Sequence, residues 1–105
     1  MATTLFTNPA VKEQSQHERK TYTVTTTNVG SNPVNVDVSV YDITGRQRVN
    51  VTATVMPVGA PVVVGDVITW PALLNLTPKR IYKVETLFDT GGNREKAITI
   101  FLAVD

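Results

Sequence analysis

Hydrophobic and polar residues alternate with a period of two through much of this chain. The clearest run is Val34-Asn35-Val36-Asp37-Val38-Ser39-Val40-Tyr41. Successive side chains of a β-strand point to opposite faces, so this run predicts a strand with its valines on a core and its polar residues in water. A helix would scatter the same valines around its circumference. Upstream, residues 19–27 set Tyr22 and Val24 against Thr21, Thr23 and Thr25, which predicts another strand. Asn28-Val29-Gly30-Ser31-Asn32-Pro33 between them has turn chemistry, because glycine and asparagine accept left-handed dihedrals and proline fixes its own.

Downstream, Asp42-Ile43-Thr44-Gly45 predicts a tight turn into a strand over 49–56. Val49, Val51, Ala53 and Val55 would share one face of it, and the pair would form a hairpin. Pro57 and Pro61 interrupt the pattern. Residues 62–70 are apolar except around Gly65-Asp66, which fits two short strands or one bulged strand. In 71–78, Leu73, Leu74 and Leu76 fit either one helical turn or a loop that plugs the open end of a sandwich. Residues 80–89 place Tyr82, Val84, Thr86 and Phe88 opposite Ile81, Lys83, Glu85 and Leu87, and 89–93 is a hairpin turn. The last strand, 95–104, carries Ile98, Ile100, Leu102 and Val104 on one face and Ala97, Thr99, Phe101 and Ala103 on the other. Both faces are largely apolar, so this strand is expected to be central in the fold or covered at an interface.

About seven to eight short strands with turn signals every 8–12 residues or so are the pattern of a β-sandwich. The expected fold is all-β: a single immunoglobulin-like or jelly-roll sandwich over 19–105, preceded by an N-terminal arm and polar connector over 1–18. In the arm, Thr3-Thr4-Leu5-Phe6-Thr7 predicts a short strand that ends at Asn8-Pro9. Residues 12–19 are polar throughout and are expected to be a solvated connector. A chain of 105 residues suits one domain with a continuous core. Valine and threonine supply roughly a third of the residues, which favours pleated, half-buried surfaces.

Composition then removes several functions. There is no cysteine, so no disulfide, thiolate nucleophile or cysteine-bound zinc forms. Net charge is +1, and the basic residues Arg46, Arg48, Lys79 and Arg80 lie beside turns rather than in the stripe that a phosphate backbone needs. No nucleic-acid partner is expected. The first residues lack a basic segment followed by an apolar run, so no signal peptide is expected, and no apolar run is long enough to span a membrane. A role outside a cell would require another route, such as lysis or surface deposition.

Candidate chemistry is thin. His17 lies in the polar connector, where Glu13 and Glu18 are the nearest partners for a metal, and loose tethers rarely hold one. Paired carboxylates would come from Asp37, Asp42, Asp66, Glu85, Asp89 or Glu95, each of which has a plainer place on an outward strand position or a turn. Gly91-Gly92 belongs to a hairpin and not to a phosphate loop. Catalytic, metal and cofactor sites are expected to be absent. Trp70 and Tyr82 are expected in the core, and Tyr41, opposite the valines, on the outer surface, where an aromatic suits an interface.

A resemblance rests on the arm before a Val/Thr-rich sandwich, on Asn32-Pro33-Val34-Asn35-Val36-Asp37-Val38 and Val40-Tyr41-Asp42, and on Tyr82-Lys83-Val84-Glu85. In these features the chain resembles the small subunits of bacterial endospore appendages and the immunoglobulin-like decoration and tail proteins of phages. Many endospore appendage subunits staple successive copies through cysteines in the N-terminal connector. This chain has none, so any assembly is non-covalent. The resemblance implies a non-enzymatic structural subunit of an extracellular surface structure or a virion. It would self-assemble into a fibre or decorate a particle, its arm adding to a neighbouring copy's sheet; the other reading of the arm is that it folds back on its own sheet or is disordered. The expected subunit-interface residues are Thr3, Thr4, Leu5, Phe6, Thr7, Tyr41 and Phe101, and the partner is a second copy. The alternative is a module that binds carbohydrate, a protein or a host surface through loops 42–45 and 89–93.

Overall fold

The computed structural model describes the backbone of residues 4–104 and the side chains of residues 11–104. Eight strands and one helical turn follow in order: β1 (Thr4–Ser15), β2 (Thr23–Thr25), β3 (Val34–Asp42), β4 (Val49–Asn50), α1 (Thr52–Val55), β5 (Val62–Val64), β6 (Val67–Thr69), β7 (Ile81–Thr90) and β8 (Asn93–Val104). They form a five-stranded sheet ordered β1-β8-β7-β3-β4 and a three-stranded sheet ordered β2-β6-β5. The two sheets enclose one core, so the fold is the all-β sandwich that the alternating pattern predicts.

The hairpin β7–β8 is the backbone of the large sheet, pairing Ile81 with Leu102 through to Thr90 with Asn93. Its two-residue turn, Gly91-Gly92, has positive φ at both positions (57° and 83°), the geometry that matches the twist of the flanking strands and that glycine adopts without strain. Val62–Thr69 resolves as two short strands around Gly65-Asp66, with Gly65 at φ 57°. Leu73 and Leu76 are fully buried in a loop, so this segment plugs the sandwich and forms no helix.

From the large sheet the core takes Val38, Val40, Tyr82, Val84, Phe88, Ala97 and Phe101, and from the small sheet Val24 and Ile68. Trp70 bridges the layers: its ring packs near Tyr22 and Phe101, and its Nε1–H donates to Thr86 Oγ1 at 2.9 Å. Tyr82 is also in the core, and its hydroxyl accepts the Thr77 N–H at 2.8 Å. Every fully buried side-chain polar atom among the described residues has a partner, as a core of low dielectric requires.

Three expectations change. The strand expected over 49–56 stops after two residues, and Thr52–Val55 forms one helical turn. Val51 and Val55 stand four residues apart, so a helical turn also brings both to the core. The Thr52 hydroxyl accepts the Val40 N–H, which ends the β3–β4 ladder there. In β3 the register shifts between Val34 and Asp37, where Asn35 adopts φ 53°. That bulge leaves Val34 exposed while Val36, Val38 and Val40 face inward. Third, Lys12–Ser15 is not a solvated connector but the second half of β1.

Candidate self-assembly surfaces

The N-terminal strand lies at the edge of the large sheet, and among the described residues it pairs with β8 alone, in parallel, so the described part of the arm lies back on its own sheet. Its pairing comes in two pieces. Thr4, Leu5 and Phe6 stand opposite Lys96, Ala97 and Ile98, and Val11–Ser15 stand opposite Ile100–Val104. Between Phe6 and Val11 the strand takes five steps while β8 takes two, and Asn8-Pro9 occupies that irregularity. Proline has no N–H to give to the ladder, so a break there follows from the sequence.

The second piece is pinned by Gln14, which is fully buried. Its amide donates to the Leu73 carbonyl at 2.7 Å and to the Glu18 carbonyl at 3.2 Å, and its Oε1 accepts the Tyr22 hydroxyl at 2.8 Å. Lys12 lies on the same inner side, with Nζ 5.9 Å from the Tyr22 ring centre. Thr4, Leu5 and Phe6 therefore belong to the piece beyond the break, outside the reach of this anchor, and Thr7 falls in the break itself. Thr3 lies outside the described residues.

Phe101 does not lie at a surface. It is fully buried, 5.0 Å from Tyr22 and 6.0 Å from Trp70 between ring centres. The choice between the two apolar faces of β8 is made by size. Ala97, Thr99 and Ala103 are small and leave room for the aromatic cluster, so that side turns inward and the branched aliphatic side turns out.

On the outer face Ile98, Ile100, Leu102 and Val104 run down β8, with Val11 of β1 beside Ile100 and Ile81 of β7 beside Leu102. Leu102 and Val104 are each 39% exposed and Val11 is 49% exposed, and no described element covers them. A charged border flanks this stripe. Lys83 Nζ lies 2.8 Å and Arg48 3.3 Å from the carboxylate of Glu85, and the Arg48 guanidinium stacks 4.3 Å from the Tyr41 ring centre. Tyr41 is thus on the outer face, as its register predicts, half-buried under Arg48. Exposed Glu13 borders the other side, next to Leu102. An apolar centre with a polar rim is the anatomy of a protein interface.

Burial pushes the Glu85 pKa up, but the bond and charge of Lys83, with Lys96 and Arg48, outweigh it and hold the carboxyl below its ordinary range. Asp89 is lowered by its bonds from Asn35 and Arg94. In Asp42 burial raises the pKa, but bonds from Thr44 and the charge of Arg80 outweigh it. A carboxyl with a depressed folded-state pKa contributes stability that is present above its unfolded value and lost as pH falls through the folded value. The domain should therefore unfold at lower urea concentration at pH 3 than at pH 7. Glu85→Gln should reduce that difference, and urea titrations of both proteins at the two pH values measure it.

The remaining candidate groups serve turns. Asp66 accepts the Thr27 hydroxyl and the Asn32 N–H, and Asp42 accepts the Thr44 N–H. His17 is exposed in the turn after β1. Among the described residues no three His, Asp or Glu side chains gather as a metal site would require. At the opposite edge of the sandwich, Val62, Val63 and Val64 of β5 are all exposed. Comparison with known proteins found no matching family model, no matching curated protein and no matching solved structure.

Proposed function

We propose that this chain is a structural subunit that self-assembles non-covalently, giving the first residues of β1 to the sheet of a neighbouring copy. The observation that carries the reading is the division of β1 into an outer piece, Thr4–Phe6, and a pinned inner piece, Val11–Ser15, by a break at Asn8-Pro9. Among the described residues the outer piece pairs with β8 alone. A neighbour's outer piece can make the same bonds, so exchange alters connectivity without sacrificing contacts. Parallel pairing is slightly weaker per residue than antiparallel pairing, which makes this seam the one most readily opened.

Because the arm of one copy meets β8 of the next, the contact is heterologous and either closes into a ring or continues as a filament. On this reading the protein forms a fibre or appendage, or decorates a larger particle, in an extracellular surface structure or a virion. Negative-stain electron microscopy of the full chain beside a chain lacking residues 1–9 tests it. Regular fibres or rings from the full chain, absent from the shortened one, are expected. Monomers from both would defeat the proposal and leave a binding module acting through loops 42–45 and 89–93.

A further inference from the structure

We infer that the outer face of the five-stranded sheet is a twofold interface with a second copy, packed face to face with the axis along β8. This rests on the reading that the chain self-assembles, but it uses a surface different from the exchanged segment. The apolar stripe of Ile98, Ile100, Leu102 and Val104 lies on β8, and β1 and β7 flank that strand on either side at equal strand spacing. Val11 and Ile81 widen the stripe on the two sides.

Charge sets the orientation. A half-turn about an axis along β8 preserves strand direction and exchanges the two sides, so each β1 lies over the neighbour's β7. Glu13 is level with Leu102 and Lys83 with Ile100, one same-face step of about 7 Å apart. Sheets packed about 10 Å apart would then set each Glu13 within side-chain reach of the neighbour's Lys83. An axis running across the strands would instead lay β1 over β1, which leaves Glu13 without a cation, and β7 over β7, where Lys83 and Glu85 already pair within each copy. Glu13 has no ion-pair partner among the described residues, so it is available for this contact.

The overlap is that of a small interface. With the axis along β8, each copy's β1, β8 and β7 cover the other's β7, β8 and β1, so about 40 Å of β8 and three strand widths, about 14 Å in all, give a face of about 560 Å². Interfaces of standard size bury about 800 Å² on each partner, and repetition of a smaller one along a fibre adds to its strength. An apolar patch of roughly 300 Å² would form its centre, the size at which patches on soluble proteins are often functional.

The test uses the full chain and Leu102→Glu, a substitution at an exposed position, with circular dichroism confirming the fold. If the chain forms fibres, mass per unit length measured by scanning transmission electron microscopy should halve in the variant. If it forms none, sedimentation velocity should show a dimer become a monomer. The presence of fibres thus reports on arm exchange, and the halving reports on the face. Unchanged mass in the variant overturns the interface. Glu13→Lys should weaken the pairing about tenfold by setting like charges together twice, and adding Lys83→Glu to the same chain should restore it. Failure of that rescue overturns the axis along β8, whether or not Leu102→Glu folds.

Discussion

Phe101→Ala is expected to destabilise the domain by about 3–5 kcal/mol, the range for emptying a buried phenylalanine site. The ring fills the space between Tyr22 and Trp70 and is fully buried, and the alanines beside it cannot expand to close the gap. A domain of this size is stable by only about 5–15 kcal/mol, so the variant should lose a large share of its margin. Urea unfolding followed by tryptophan fluorescence measures the loss, because Trp70 is the only tryptophan and lies against the cavity. A loss of no more than about 0.5 kcal/mol, the ordinary scale for a surface substitution, would show that Phe101 is not the core residue described here.

Gln14→Leu is expected to cost about 2–4 kcal/mol although it preserves volume and adds apolar surface. The leucine leaves the Leu73 carbonyl and the Tyr22 hydroxyl without their partner, and each buried polar group so stranded costs about 1–3 kcal/mol. The loss should be local as well as global. Amide exchange in Val11–Ser15 should accelerate more than exchange in β7, because Gln14 is what ties β1 to the loop beneath it. Equal acceleration throughout, with no change in the midpoint, would mean that Gln14 pins nothing.

These two side chains show where the sequence was legible and where it was not. β3, β7 and β8 were readable because each alternates over many residues and β7–β8 closes on Gly91-Gly92, a turn whose backbone demand is visible in the residues themselves. Gln14 was not readable. Its polar neighbours Lys12, Glu13 and Ser15 describe a solvated spacer, and the groups that satisfy it in the core include Leu73, which lies 59 residues away. Period-two pattern also fails when both faces are apolar. It identified the two faces of β8 but could not say that Phe101 goes in and Leu102 out, since that depends on the aromatic rings arriving from Tyr22 and Trp70. At 49–56 the pattern fitted a strand and a helical turn alike, and the hydrogen bond from Val40 to the Thr52 hydroxyl decided between them.

For the candidate surfaces the division is similar. The outward Tyr41 was visible from its register, and a strand at Thr4-Leu5-Phe6 from residue types, whereas its continuation to Ser15 within the large sheet was not. The break in β1 was signalled by Asn8-Pro9, but the sequence did not show that the chain resumes strand pairing beyond it with the same partner.

The most direct test of arm exchange exploits the absence of cysteine. Thr4→Cys and Lys96→Cys together place one thiol on the outer piece of β1 and one opposite it on β8, at registered positions. After assembly and oxidation, a non-reducing denaturing gel should show a ladder of covalently linked copies that collapses to one band on reduction. A single monomer band, with both thiols consumed, would show that each arm stays on its own sheet and would contradict the account.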